Sequence, residues 1–146
     1  MKIGFTCSTF DLFHAGHIMM LKEAKKVCDY LIVGLQSDPT VDREWKNKPV
    51  QSLFERFVQL DACKYVNEII PYTTEKELLD IILSYPIDVR IIGEEYRDKQ
   101  FTGWDLGIPV HFNSRQHSFS TTELRERVSK AQQIKQANNA ETISVR

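Results

Sequence analysis

Two histidines, His14 and His17, flank Gly16 directly after the first strand-like run of the chain. A helix is predicted to begin there, and a helix N-terminus offers unpaired N–H groups and partial positive charge, which suit a phosphate. The two imidazoles can converge on one group, and the glycine lets a ligand approach the backbone. The pattern predicts a phosphate site. It also fits two purely structural histidines, whereas zinc is disfavoured because no Cys or Glu lies at ligand spacing.

A second candidate phosphate site lies near the other end of the chain, in residues 115–125. Here Ser120, Thr121 and Thr122 precede a predicted helix, so their hydroxyls can cap the helix and also meet phosphate oxygens. Capping alone is the competing interpretation. The pairing of two such sites favours function, because both follow strands and can face each other across the crevice of an α/β sheet.

The apolar segments alternate between strand-like and helix-like patterns. Continuous apolar runs predict strands at residues 2–7, 30–35, 68–71, 89–92 and 110–113. Three- and four-residue spacing with capping residues predicts helices at about 17–27, 52–63, 74–85 and 121–128. This order predicts an α/β fold with a doubly wound parallel sheet of about five strands in a single domain. We expect that domain to span residues 1–128, with a frayed or disordered polar tail at 129–146.

Composition excludes several classes of protein. The 146 residues carry 19 basic and 20 acidic side chains, a balance that argues against nucleic acid as a partner. The apolar runs are too short to cross a membrane, and the first residues lack the pattern of a secretory signal, so we expect a cytoplasmic protein. The spacing of Cys7, Cys28 and Cys63 suggests neither a disulfide framework nor a zinc site.

Three short segments resemble the cytidylyltransferase family, in particular its bacterial glycerol-3-phosphate cytidylyltransferases. They are Thr-Phe-Asp-Leu at 9–12, His-Ala-Gly-His at 14–17 and Ser-Thr-Thr at 120–122. The resemblance implies a Rossmann-like fold, a nucleoside triphosphate with Mg²⁺ as reactants, pyrophosphate as leaving group, a phosphorylated small-molecule acceptor and a homodimer. It also places a mobile basic loop over the triphosphate, and the polar residues 36–51 are long enough to form it.

The resemblance implies a role for individual residues. His14, His17, Lys46 and Arg115 would be catalytic, because they meet the charge that develops on the phosphates. The nucleotide would be bound by Thr9, Phe10, Asp11, Gly16, Gly93, Ser120, Thr121 and Thr122, and the acceptor by Asp38, Arg56 and Lys64. No residue is assigned as a metal ligand.

The reaction favoured by this pattern transfers CMP from CTP to a phosphorylated alcohol such as glycerol 3-phosphate. CTP is favoured over ATP because Ser120-Thr121-Thr122 resembles the cytidylyl enzymes. Two alternatives stay open: an adenylyltransferase that makes an adenylylated cofactor such as FAD, and a non-catalytic nucleotide-binding regulatory module. The acceptor is equally open, since amino-alcohol phosphates, sugar phosphates and flavin nucleotides all present a similar phosphate.

Overall fold

The computed structural model describes residues 1–114 and 119–145. Its elements in chain order are β1 (Ile3–Ser8), α1 (Ala15–Lys26), β2 (Tyr30–Gln36), α2 (Leu53–Asp61), β3 (Glu68–Tyr72), α3 (Glu75–Ser84), β4 (Val89–Gly93), β5 (Val110–Asn113) and α4 (Thr121–Val145). Short 3₁₀ helices follow β2 at Pro39–Val41 and β4 at Glu94–Tyr96. The predicted alternation of strands and helices is confirmed.

The five strands form one parallel sheet in the order β3-β2-β1-β4-β5. The chain winds outward from β1 to β3 and then returns to place β4 on the other side of β1. Ligands bind to sheets of this kind at such a reversal of strand order, beyond the carboxyl ends of the strands. The prediction of a doubly wound, Rossmann-like α/β domain is confirmed.

Side chains that alternate along the buried strands belong to two separate hydrophobic cores, one on each face of the sheet. Leu31, Val33 and Leu35 of β2 point to the face covered by α1 and α2, where they pack with Leu21 and other apolar residues. The opposite face is covered by α3, and its core consists of Phe5, Ile32, Tyr72, Leu78 and Ile82. Because both faces are apolar, the strands read as continuous hydrophobic runs in the sequence. Functional side chains are left to the edge where the strands end.

The last helix differs from the prediction. We expected it to end near Val128 and a frayed tail to follow, whereas α4 continues to Val145. No Gly or Pro interrupts this stretch, and its Ala, Gln, Lys and Glu residues favour helix without tertiary packing. Residues 126–141 are all exposed, so this part of the helix has no buried face. The domain boundary at residue 128 stays a prediction. None of the described helices is long and apolar enough to span a bilayer.

Candidate active site

A cavity of about 890 Å³ opens at the carboxyl edge of the sheet. The last residue of every strand lines it: Ser8, Gln36, Tyr72, Gly93 and Asn113. This is the position expected for the ligand crevice of a doubly wound sheet. A cavity of this volume is large enough for a nucleotide and a second small molecule.

Most of the predicted site residues meet at this cavity. Its lining includes Thr9, His14, Gly16, His17, Lys46, Gly93, Ser120, Thr121 and Thr122. The two ends of the chain are therefore brought together, as the paired-site hypothesis requires. Arg115, predicted to be catalytic, lies outside the described residues. Phe10, Asp11, Asp38, Arg56 and Lys64 do not line the cavity.

His14 caps the first helix and joins it to the last one. Its Nδ1 accepts a hydrogen bond from the Gly16 N–H (3.0 Å), so the neutral ring carries its proton on Nε2. That Nε2–H points to the hydroxyl of Thr121, 3.0 Å away in the first turn of α4. The N-termini of α1 and α4 therefore meet at this histidine, and both direct their partial positive charge at the cavity.

The ring of His17 is held as firmly as that of His14. Its Nδ1 accepts from the backbone N–H of His14 (3.2 Å), which leaves the proton of the neutral ring on Nε2. Phe13 stacks on the ring at a centroid distance of 5.5 Å, and Phe10 packs against it at 5.4 Å. Burial, helped by the proximity of His14 and opposed by Asp11, lowers the pKa of His17 to about 3. At neutral pH this ring is an uncharged hydrogen-bond donor.

The loop between β1 and α1 has an uncommon backbone. Phe10 and Leu12 have φ angles of 49° and 52°, in the left-handed region that residues other than glycine rarely occupy. Phe10 is also fully buried, so its ring fills the core and supports His17. Such conformations cost about 1–3 kcal/mol each and persist only where surrounding contacts hold them. The structure gives Phe10 this supporting position under the site.

Asp11 supplies the contacts that hold this loop. Its buried carboxylate accepts hydrogen bonds from the N–H groups of Val50 and Gln51, both 2.9 Å, and from Arg125 at 2.7 Å. Burial opposes ionisation, but these donors outweigh it and hold the pKa of Asp11 below its usual value. One carboxylate thus links the first loop, the end of the predicted basic loop at residues 36–51 (the basic segment) and α4. Asp11, predicted to bind the nucleotide, therefore lies beneath the cavity and orients the first loop.

Arg56, predicted to bind the acceptor, is buried and donates to the backbone. Its guanidinium contacts the carbonyl oxygens of Thr9 (3.0 Å), Gln36 (2.5 Å) and Ser37 (2.7 Å). The Nε–H is shared between the carbonyls of Gln51 and Ser52. All three nitrogens are therefore engaged, and Arg56 clamps the ends of β1 and β2 to the start of α2.

The other two predicted acceptor residues are placed away from the cavity. Asp38 caps the 3₁₀ helix Pro39–Val41, accepting from the N–H and the hydroxyl of Thr40 at 2.9 and 2.6 Å. Lys64 precedes β3, at the opposite edge of the sheet from the cavity, and its ammonium lies 5.3 Å from the ring centroid of Tyr65. The structure does not bring either residue to the predicted phosphate site.

The basic segment borders the cavity, as expected if it closes over the triphosphate. Arg43 and Lys46 both line it, and Arg43 forms an ion pair with Glu75 at 2.7 Å. The carboxylate of Asp42 accepts from the N–H of Glu75, so the start of the segment is tied to α3. Trp45 is 75% exposed, which leaves its ring outside the cavity in this state.

At the start of α4 the structure shows a helix cap within the Ser-Thr run, and phosphate binding by the run stays a prediction. Ser120 Oγ accepts from the Glu123 N–H at 3.1 Å, which is the expected cap. Thr121 instead turns its hydroxyl to His14, and all three residues of the run line the cavity. One residue of the run thus caps the helix, while the run as a whole borders the cavity.

Sequence reasoning missed a group on the α3 side of the cavity. Cys7, Tyr72, Glu75 and Arg90 line it there, and Arg90 is only 4% exposed. Arg90 lies inside the apolar run of β4, where a charged residue is unusual. That interruption is the signal that could have identified the group.

Comparison with known proteins agrees with this geometry. The family model described as cytidylyltransferase-like matches residues 5–144, and the chain belongs to this family. Glycerol-3-phosphate cytidylyltransferase of Bacillus subtilis is 32% identical over 88% of this chain and 98% of its own length.

Two further relatives show the range of proteins that contain this domain. The bifunctional protein HldE of Campylobacter jejuni is 37% identical over 87% of the chain, which spans only 28% of that longer protein. A crystal structure of the lipopolysaccharide core biosynthesis protein from Thermoplasma volcanium aligns with a TM-score of 0.57 and 23% identity, covering 90% of this chain and 88% of that one. The latter likeness supports the fold.

Replacement of Arg56 by Met should lower the free energy of unfolding by about 3 kcal/mol, because several buried carbonyls lose their donor. Urea denaturation measures the change. Arg127→Met, at an exposed position on α4, is the matched control and should shift stability by less than about 0.5 kcal/mol. Unchanged stability together with a raised KM for the acceptor would instead favour the original binding assignment.

The depressed pKa of His17 predicts a pH-dependent stability. Between its folded pKa of about 3 and the usual value near 6.5, the unfolded chain binds a proton that the folded chain does not. The free energy of unfolding therefore falls as the pH drops through this window. From pH 7 to pH 5, wild type should lose about 1–2 kcal/mol more than His17→Gln. Equal losses measured by urea denaturation would show that His17 is not buried as a neutral ring.

Proposed function

We propose that the chain is a cytidylyltransferase that transfers CMP from CTP to a phosphorylated small alcohol such as glycerol 3-phosphate, releasing pyrophosphate. The observation that carries this proposal is the contact of His14 with Thr121, which joins two helix N-termini over one cavity. Two N-termini and two imidazole N–H donors form a site for a polyphosphate. The whole-length likeness to a glycerol-3-phosphate cytidylyltransferase supports the choice of base and acceptor.

The proposed reaction is a direct displacement. A phosphate oxygen of the acceptor attacks the α-phosphorus of CTP and forms a new P–O bond. The bond from the α-phosphorus to the oxygen that bridges to the β-phosphate breaks, and its electron pair leaves with pyrophosphate. The nucleophile is already an anion, so no base is needed to activate it. Catalysis then depends on alignment and on stabilisation of the charge that moves toward the leaving group.

His14 and His17 are suited to that stabilisation because their donors are fixed before the ligand arrives. Each Nδ1 is held by a backbone N–H, which directs the remaining proton of each ring to Nε2. In this proposal these N–H groups contact the α- and β-phosphates, and the Nε2–H of His14 exchanges the Thr121 hydroxyl for a phosphate oxygen when the nucleotide binds. A triphosphate beside His17 favours the protonated ring, so nucleotide binding raises its pKa from the low value of the free protein.

The remaining predicted residues surround the phosphates in this proposal. Lys46 approaches from the basic segment, and Ser120 with Thr121 offers the start of α4 to the β- and γ-phosphates. Arg115, the first residue of the second candidate phosphate site at 115–125, keeps its predicted catalytic role. Mg²⁺ supplies charge screening when the triphosphate carries it. Most of its ligands would be phosphate oxygens and water, because this ion gives up its bound water reluctantly. A homodimer completes the proposal on the strength of the family resemblance.

The decisive experiment is a screen for pyrophosphate release. Each nucleoside triphosphate is tested with Mg²⁺ against glycerol 3-phosphate, ethanolamine phosphate, sugar phosphates and flavin mononucleotide, and product masses are measured. We expect CTP with a phosphoalcohol to react at least tenfold better than ATP, a difference that needs only about 1.4 kcal/mol. Faster turnover with ATP would refute the cytidylyl assignment. Nucleotide binding without turnover on any acceptor would favour a regulatory module.

Replacement of either histidine by alanine should lower kcat by about two to three orders of magnitude, because one preorganised donor to the transition state is lost. The KM for the nucleotide should change much less. His111→Ala is the matched control: its ring pairs with Glu23 and does not line the cavity, and the kcat of this variant should stay close to that of wild type. Full activity in a folded His14→Ala or His17→Ala protein would remove the proposed role of these rings.

A further inference from the structure

Arg90 is a buried cation without an ionic partner. It pairs with Phe5 in the sheet register, which places its side chain on the α3 face, and it is only 4% exposed. Its Nη1 donates to the carbonyl of Thr102, and its guanidinium lies 5.2 Å from the ring centroid of Phe101. Among the described residues no carboxylate lies within ion-pair distance, and no acceptor receives the Nε–H.

Burial of an unpaired charge is costly, and proteins rarely keep one for packing alone. Arg56 shows the alternative within the same chain, because each of its nitrogens donates to backbone carbonyls. Desolvation lowers the pKa of the Arg90 guanidinium and outweighs the opposing influence of Cys7, Tyr72 and Glu75. A bound anion would accept a hydrogen bond from the unused Nε–H of Arg90 and would also balance its charge.

A second arginine lines the same part of the cavity. Arg43 has a buried Nε without an acceptor among the described residues. Its Nη2 pairs with Glu75 at 2.7 Å, and the other oxygen of that carboxylate accepts from the Thr102 hydroxyl at 2.6 Å. Glu75 therefore neutralises Arg43 and fixes its position. Glu75 also attracts Arg90 from beyond ion-pair distance, so two guanidinium groups share the charge of one carboxylate.

The wall around these arginines is shaped by close packing. Tyr72 and Cys7 both line the cavity beside Arg90, and burial keeps the Cys7 thiol neutral by raising its pKa. Gly103 has a φ of 78°, and a Cβ there would come within 3.0 Å of Arg90 Nη1. The loop that carries Phe101 and Thr102 is thus built closely over the guanidinium, which holds it in one orientation.

We propose that Arg90 and Arg43 form an anion-binding subsite on the α3 side of the cavity, which takes the phosphate of the acceptor. This inference rests on the proposed function and identifies where the second substrate binds. The histidine pair and the start of α4 lie on the α1 side, so the two substrates occupy opposite sides of the carboxyl edge of β1.

The subsite is tested first on the unmodified protein. The Nε–Hε resonances of arginine are followed in ¹⁵N-labelled protein during titration with inorganic phosphate, with glycerol 3-phosphate and with uncharged glycerol. Both phosphate probes should shift the Arg90 and Arg43 resonances, and glycerol should not. Resonances of Arg90 that stay unmoved up to about 10 mM of both phosphate probes would overturn the proposal, since even a weak useful site binds near the millimolar range.

Steady-state kinetics give an independent measurement. Arg90→Gln should raise the KM for the acceptor about ten- to a hundredfold, which corresponds to loss of a charge-assisted hydrogen bond, and should leave the KM for the nucleotide within about twofold. Arg43→Gln, at a half-buried position, should act in the same direction if Arg90→Gln does not fold. Arg127→Gln on the exposed face of α4 is the matched control. An equal rise in both KM values would overturn the assignment to the acceptor.

The two proposals fail in different ways. Absence of pyrophosphate release with every acceptor would refute the proposed function, while phosphate-dependent shifts at Arg90 would still establish the anion site. Turnover with normal acceptor KM in Arg90→Gln, together with silent Arg90 resonances, would refute the subsite and leave the cytidylyltransferase proposal standing.

Discussion

The arrangement of the whole cavity depends on one buried carboxylate. Asp11 is 4% exposed and ties together segments that are far apart in the chain: the N–H groups of Val50 and Gln51 and the guanidinium of Arg125. Arg125 lies one helical turn beyond Thr121, so the pair also fixes the distance between Thr121 and His14. Without that anchor, the mostly exposed α4 would have little to hold its first turn over the cavity.

The same anchor accounts for the backbone of the first loop. Phe10 and Leu12 flank Asp11 and both have positive φ angles. The chain tolerates this strain because the carboxylate between them is held by three donors, and because the Phe10 ring gains full burial. In return Phe10 and Phe13 enclose His17 and keep it uncharged. Local strain is thus linked directly to the protonation state of a site residue.

How much of this could be predicted from the sequence depends on the range of each interaction. The parallel sheet follows from the alternation of apolar runs and capped helices, and the position of His14 follows from a local helix start. The partners of Arg56 and Asp11 are distant in sequence, up to 114 positions for Asp11 and Arg125, and no local pattern indicates them. The family resemblance assigns Arg56 to the acceptor, whereas in the structure its N–H groups donate to backbone carbonyls.

The continuation of α4 shows a different limit. The prediction ended the helix where apolar residues stop, since burial of an apolar face stabilises most helices. In α4 the local preference for helix is retained beyond Val128, and residues 129–141 have no buried face, so a rule based on burial gives the wrong end point. Arg90 is the opposite case. The apolar residues around it predict the strand correctly, but the prediction gives no role to the charged residue among them.

Alternation along a strand also explains how one cavity can serve two substrates. Side chains of neighbouring residues in β1 point to opposite faces of the sheet, so the carboxyl edge of the strand borders both the α1 side and the α3 side. In an in-line displacement the attacking oxygen and the leaving oxygen lie on opposite sides of the phosphorus. In the proposed reaction, donors on the α1 side stabilise the leaving pyrophosphate, and Arg90 on the α3 side holds the attacking phosphate. The requirement of the chemistry for two opposed charged groups is then met by the two faces of a single sheet, with the α-phosphorus above its edge.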